Sequence, residues 1–223
     1  MNATSARLGR FITLEGGEGA GKSTQSRLLA ERLRLRGFEC VTTREPGGSP
    51  GAERLREILL SGAVAPLGAT AEALLFTAAR IDHLDHTIRP ALARGAFVVC
   101  DRFADSTRAY QGALGNLDPV LIRALEHTAV GRTHPDLTLI LDLPVEVGLA
   151  RANARRGDAA ADRFEREGQA FHEGLRKAFL EIAAQEPARC AVIDASRSVS
   201  EIADLIWAAV ESRLLTPSAK GVA

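Results

Sequence analysis

Lysine is almost absent from this chain. Of its 28 basic residues only Lys22, Lys177 and Lys220 are lysines, and 28 acidic residues balance the total. Zero formal net charge gives no global electrostatic ground for binding nucleic acid or a membrane surface. The arginine skew suits planar, bidentate reading of phosphate, although a GC-rich coding bias produces the same skew. Cysteine is scarce too: Cys40, Cys100 and Cys190 are widely spaced, each in an apolar run. Without a C-x-x-C pair, zinc and redox sites are not expected. The three read as small buried hydrophobes in a reducing compartment. No apolar run approaches the ~18 residues of a membrane span. Residues 1–9 lack the apolar stretch of a secretory signal, so a cytoplasmic location is expected. No internal repeat, low-complexity tract or linker interrupts the 223 residues. One α/β domain over 1–223 is expected, with a core that buries about 70% of the unfolded chain's surface. The tail, 216–223, is small and polar and is expected to fray.

What is present starts with Gly16-Gly17-Glu18-Gly19-Ala20-Gly21-Lys22-Ser23. This fits G-x-x-x-x-G-K-[ST], the phosphate-binding P-loop. An apolar, β-leaning run, Phe11–Leu14, precedes it, and an amphipathic helical pattern from Thr24 follows and stops at Gly37. Glycines let the backbone curl so that successive N–H groups face phosphate oxygens. The helix N-terminus adds its positive dipole end. Lys22 supplies a mobile point charge, and the Ser23 hydroxyl can ligate Mg²⁺.

Five apolar runs alternate with helical stretches: 11–14, 40–43, 97–100, 137–143 and 190–193. Strands without polar alternation, separated by helices, predict a parallel sheet covered on both faces. Ligands of such sheets bind at the carboxyl ends of the strands, where Glu15, Arg44, Asp101 and Asp194 fall. The strand ending in Asp101 has the Walker B form, whose carboxylate holds Mg²⁺ or its waters. The similar run ending at Asp142 is followed by Leu143-Pro144 and reads as an ordinary strand end.

Between the strands lie three further features. Residues 44–51 hold two prolines and three glycines, a rigid, shaped loop that on its own reads as a connector. A long helical stretch, roughly 68–93, carries Leu74, Ile81, Leu84, Ile88 and Leu92 as an expected core stripe. Phe76 and Arg80, four apart, share another face; they could sandwich a flat base or be a packed Phe beside a solvated Arg. From 151 to 166, five of sixteen residues are Arg. That composition suits a lid closing arginines over a phosphoryl group, with a solvated helical face as the alternative.

Together these stretches resemble the thymidylate kinases (dTMP kinases), P-loop nucleoside-monophosphate kinases. The likeness runs from Phe11 to about Leu215 and rests on LEGGEGAGKSTQ (14–25), TREPGG (43–48), LLFTAAR (74–80), DRFADSTRAYQG (101–112) and DRFE (162–165). The resemblance implies a five-stranded parallel P-loop fold, ATP and Mg²⁺ as cofactors, dTMP as substrate, and a homodimer. It implies that Gly16 to Thr24 cradle the ATP phosphates, that Glu18 faces the acceptor sugar, and that Ser23 and Asp101 serve Mg²⁺. Phe76 would stack on thymine and Arg80 hydrogen-bond its edge. Arg102 would grip the acceptor phosphate, while Ser106, Thr107, Tyr110 and Gln111 line the thymidine pocket. Pro46 and Gly47 would close that pocket near the sugar, and Asp194-Ala195 would lie beside adenine. The loop itself carries no arginine, so the chain resembles members whose catalytic arginine sits in the lid, at Arg155 or Arg156, with Arg163 anchoring it near the substrate and Gly157 as a hinge. Another P-loop nucleotide or small-molecule kinase is the main alternative. A GTPase switch is disfavoured, since neither N-K-x-D nor D-x-x-G occurs.

Overall fold

All five apolar runs are strands of one parallel sheet. The computed structural model describes residues 9–156, 163, 164 and 166–216, apart from the side chain of Arg156. The expected hinge Gly157, the alanines 159–161, Asp162 and Glu165 of DRFE, and the tail beyond Thr216 lie outside the described residues.

The strands are β1 (Arg10–Gly16), β2 (Cys40–Arg44), β3 (Phe97–Asp101), β4 (Leu137–Asp142) and β5 (Cys190–Asp194). Their spatial order is β2-β3-β1-β4-β5. The three middle strands are buried along nearly their whole length, whereas edge strands β2 and β5 alternate. That difference follows from position, because only inner strands have helices on both faces and strands on both sides. Parallel register sets Leu14 opposite Asp101 and Gly16 opposite Leu141. The P-loop strand therefore ends between two other strand ends. A Cβ on Gly16 would come within 2.5 Å of the Leu141 carbonyl, and its φ of +138° is open only to glycine.

Helices α1 (Lys22–Leu35), α2 (Pro50–Ser61), α3 (Gly68–His83), α4 (Arg89–Ala93), α5 (Ala104–Thr107), α6 (Pro119–Val130), α7 (Val145–Arg156), α8 (Gln169–Gln185) and α9 (Val199–Val210) connect and cover the strands. On one face Leu29 and Leu33 of α1 and Ile206 and Trp207 of α9 pack with Leu139 and Leu141. On the other, Leu84 and Ile88 pack with Phe11, Val98 and Phe103, while α8 brings Leu175 and Phe179 to Ile140. No single helix among the described residues is long and apolar enough to cross a membrane.

The stretch 68–93 is helical throughout, with one wide turn at Leu84–Ile88 just before Pro90. Proline cannot donate to the carbonyl four residues earlier, and widening the turn relieves the resulting clash. Its expected core stripe needs correction. Leu84 and Ile88 are fully buried, but Leu74 is 51% and Ile81 36% exposed. The buried face of α3 is instead largely polar: Glu72, Thr77, Arg80 and His83, each with a partner described below or within the helix.

Candidate active site

At the end of β1 the chain curls around its own lysine. Lys22 Nζ donates to the carbonyls of Gly17 (2.7 Å) and Gly16 (3.1 Å). Gly19 and Gly21 take φ of +69° and +91°, and a Cβ on Gly19 would meet the Gly148 carbonyl of α7 at 2.0 Å. Ala20 is buried beneath the loop. Burial lowers the Lys22 amine to about 8, with the Arg102 charge acting the same way and Glu18, Asp101 and Glu15 opposing. A polyanion reaching this amine would favour its charged form.

Beside it, the Ser23 hydroxyl donates to Asp101 Oδ2 at 2.5 Å, a contact set up by the β1–β3 register. Among the described residues no group of three or more His, Cys, Asp and Glu could hold a metal. One hydroxyl and one carboxylate fit an ion that keeps most of its shell as water and phosphate oxygens, as Mg²⁺ does. Arg102 follows in left-handed backbone, φ +67°. Its Nη1 donates to the Gly16 carbonyl (3.2 Å) and to Ser106 Oγ (3.4 Å), and its Nη2 lies 3.5 Å from Glu18. Glu15 is fully buried and accepts from the Phe103 N–H, the Ser106 N–H and the Ser106 hydroxyl. Burial and the nearby Asp105 charge raise its carboxyl to about 7.

A cavity of about 400 Å³ opens from the P-loop toward α3. Gly19, Gly21, Lys22, Ser23 and Thr24 form one end, with Glu18, Asp101 and Arg102 next to them. Phe76 and Arg80 form the other end with Thr107, Tyr110 and Gln111, and Ser106 lies between. Arg80 is only 3% exposed. Its Nε donates to Glu45 Oε2 (2.8 Å) and its Nη2 to Thr107 Oγ1 (3.0 Å) and the Phe103 carbonyl (3.1 Å). These bonds use Nε and Nη2 and leave Nη1 without a hydrogen bond among the described residues, and Arg80 lines the cavity. Glu45 is in turn held by His83, whose other nitrogen meets Thr43 Oγ1 at 2.6 Å. Gln111 donates to Glu72 at 3.3 Å. The loop 44–51, which alone reads as a connector, supplies Arg44, Glu45 and Pro46 to the wall. Gly47 stands behind it, against the Glu53 carboxylate.

The arginine-rich segment reaches the site from above. Arg155 Nη2 donates to Glu18 at 2.9 Å. Burial disfavours the Glu18 anion, but Lys22, Arg102 and Arg155 outweigh it and bring the carboxyl down to about 2. Arg163 pairs with Glu72 (2.9 Å) and Glu167 (3.2 Å), outside the cavity lining. Phe164 beside it does line the cavity, edge-on to Tyr110 at 5.2 Å. Arg151 donates to the Ala195 carbonyl at 3.0 Å. Asp194 and Ala195 lie outside the main cavity, at the end of β5, with Asp194 held by Ser196 and Arg197.

Sequence reasoning missed several parts of the wall: Arg56, Leu60, Phe103 and Phe164. It also missed Gly148, where a Cβ would strike the Glu18 carbonyl at 2.5 Å and push α7 off the loop. Phe164 had a signal, lying inside DRFE; a lone glycine in a helix pattern had none.

A lysine-bearing loop, a strand-end carboxylate beside it and one cavity running from them to a buried arginine on α3, set on a five-stranded parallel sheet, define a P-loop fold of the nucleoside-monophosphate kinase type. The family model described as thymidylate kinase matches residues 14–206. The chain is 59% identical to a thymidylate kinase of Afipia carboxidovorans over 95% of this chain and 94% of the relative. It is 60% identical to one of Rhodopseudomonas palustris, over 96% and 93%. A crystal structure of thymidylate kinase from Ehrlichia chaffeensis superposes with TM-score 0.73 at 33% identity, over 92% of this chain and 99% of that one. The chain belongs to the thymidylate kinase family.

Glu18 gives the site an acid sensitivity with a definite sign. Its carboxyl lies below the ordinary 4.5, so its interactions contribute stability above pH 4.5 that is lost as pH falls toward 2. Glu18→Gln should therefore flatten the fall in urea midpoint below pH 4.5. Parallel profiles for the two proteins would show that the ion cluster contributes nothing to stability.

Proposed function

We propose that this protein transfers the γ-phosphoryl group of ATP to dTMP, giving dTDP, as one kinase domain whose segment 151–166 acts as the lid. The observation that carries this reading is the continuity of the cavity: Lys22 and Ser23 stand at one end, Phe76 and Arg80 at the other, and Arg102 between. A donor triphosphate on the loop and a flat base at α3 would meet phosphate to phosphate at Arg102.

The chemistry asked of the chain is positioning and charge neutralisation. Two polyanions repel, and the phosphoryl group passes through a loose, charge-dispersed transition state. Lys22 exchanges its carbonyl partners for phosphate oxygens, and the curled N–H groups from Gly16 to Thr24 add further donors. Ser23 and Asp101 would hold Mg²⁺, which neutralises phosphate charge when bound. Arg102 grips the acceptor phosphate, and Glu18, next to it, faces the sugar. Phe76 stacks on the base, and the spare Nη1 of Arg80 donates to a thymine oxygen. Ser106, Thr107, Tyr110, Gln111 and Pro46 shape the remaining pocket, with Gly47 keeping the Pro46 loop close. Asp194 and Ala195 border adenine, a placement supported by Arg151 bonding the Ala195 carbonyl. Arg155, already at Glu18, moves to the transferring group when phosphates arrive, or Arg156 does; Arg163 fastens the lid to Glu72. Closure excludes water and so favours transfer over hydrolysis.

We further propose a cytoplasmic homodimer. Three free, buried cysteines suit a reducing compartment. Leu74, Ala78 and Ile81 recur at helical spacing on the outward face of α3, all exposed, an apolar stripe of the kind that marks a protein interface.

Three outcomes follow. Phe76→Ala should lose roughly 1–3 kcal/mol of stacking, read as a raised KM for dTMP with the KM for ATP unchanged, and dCMP should be a poor acceptor for wild type in a coupled ADP-release assay. Equal rates with dTMP and dCMP would contradict the base assignment. Arg155→Ala and Arg156→Ala should lower kcat more than they raise either KM, and Arg→Lys should rescue poorly because a point charge cannot reproduce the guanidinium fork; if both Ala variants keep kcat within about twofold, less than ~0.5 kcal/mol, the lid arginines are a solvated face. Leu74→Asp should halve the mass seen by light scattering, and a monomeric wild type would refute the dimer.

A further inference from the structure

We propose that Glu15 is a positioning residue for phosphoryl transfer: it fixes the polarity of a short hydrogen-bond relay that aims Arg102 at the acceptor phosphate. The inference rests on the assignment of Arg102 to that phosphate and adds a second residue behind it.

Arg102 is expensive to hold where it is. Its left-handed φ of +67° is one of only two such values outside glycine among the described residues, a conformation that is strained for a residue with a Cβ. Something must over-determine it. On its N-terminal side the Arg102 N–H donates to the Leu14 carbonyl at 2.9 Å. On the other side the following residues are tied down by Glu15. One carboxylate oxygen accepts from the backbone N–H groups of Phe103 (2.8 Å) and Ser106 (3.2 Å), and the other accepts from the Ser106 hydroxyl (2.7 Å). Phe103 has no polar side chain to satisfy these N–H groups itself, so a carboxylate from the adjacent strand does so. Residues 14 and 15 of β1 thus hold the arginine's backbone from both flanks.

The direction of the bonds matters as much as their number. An ionised carboxylate only accepts. The Ser106 proton must therefore point at Glu15, which leaves a lone pair on Ser106 Oγ for Arg102 Nη1, 3.4 Å away. The same Nη1 donates to the Gly16 carbonyl at 3.2 Å. The guanidinium is suspended between the P-loop backbone and a serine whose orientation Glu15 dictates. Any phosphate bound at Lys22 and any phosphate bound at Arg102 are then referenced to the same few residues, 14 to 16.

Glu15→Gln separates this from simple packing, because it keeps shape and volume but can only accept at one atom. If the amide oxygen takes the two backbone N–H groups, the amide nitrogen donates to Ser106 and reverses its hydroxyl. If the amide is turned, the nitrogen faces two donors. In the first case the Ser106 hydroxyl loses the acceptor that aims it, and in the second the N–H groups of Phe103 and Ser106 lose theirs, so one half of the hold on Arg102 is lost. Measured well above pH 7, because the carboxyl is raised to about 7, Glu15→Gln should lower kcat/KM for dTMP by about tenfold or more, since small misplacements of a positioning group cost on that scale, while the KM for ATP stays within about twofold. Ser106→Ala should lose less, and adding it to Glu15→Gln should cost nothing further, because both act through one path. The inference is overturned if Glu15→Gln leaves kcat/KM for dTMP within about twofold of wild type, if it damages ATP and dTMP parameters alike, or if the two losses multiply. Should Glu15→Gln fail to fold, the pair Ser106→Ala and Arg102→Ala decides: shared losses support the relay and multiplying losses refute it. Arg102→Ala alone tests the reading beneath. If it leaves dTMP kinetics intact, the phosphate assignment falls, whereas a damaged Arg102→Ala beside an intact Glu15→Gln removes only the role of Glu15.

Discussion

The pairing of β1 with β3 is the constraint on which the rest of the site depends. It sets Leu14 beside Asp101, and from that one register come the contact between Ser23 and Asp101, the bond from Arg102 to Leu14, and the reach of Glu15 to Phe103 and Ser106. A slip of one residue would turn every side chain of the strand to the opposite face. The register cannot slip, because both strands are buried on both faces and β1 is locked on its other side to β4. Backbone hydrogen bonding in the sheet thus aligns side chains of the candidate site that lie some eighty residues apart in sequence.

Around this frame the site is built from opposed charges rather than from isolated reactive groups. Glu18 offsets part of the charge of Arg102, Arg155 and Lys22, and Arg80 is paired with Glu45. Buried charges are tolerable only when paired and hydrogen-bonded, so each cation meant for a substrate has an internal carboxylate or carbonyl as its resting partner. The lining accordingly carries the carboxylates Glu18, Glu45 and Asp101 beside its guanidiniums, and Glu18 and Glu45 hold Arg102, Arg155 and Arg80 in place.

Much of the fold was legible because its signals were physical and local. Doubly buried strands read as unbroken apolar runs, and the P-loop reads from residues that no ordinary turn requires together. Phe76 and Arg80 were placed on one face by their spacing, and that face does border the cavity. The error in α3 has the same origin as the success. Periodicity equates burial with apolarity, yet α3 buries Glu72, Arg80 and His83 against partners on β2, the loop after it and the arginine-rich segment, and turns Leu74 and Ile81 outward. Such partners are distant in sequence, Glu45 and Arg80 by 35 residues, so no single window contains both. Gly148 was illegible for a related reason: its importance lies in what its missing side chain leaves room for, the carbonyl of Glu18.

The lysine cradled by Gly16 and Gly17 has a consequence for the order of the loop. A lysine waving in solvent surrenders roughly 1.5–2 kcal/mol of rotamer freedom when it is fixed. Lys22, bonded to the carbonyls of Gly16 and Gly17, has surrendered that freedom already. An arriving oxyanion therefore finds a finished receptor and trades places with two carbonyl oxygens, with little left to order.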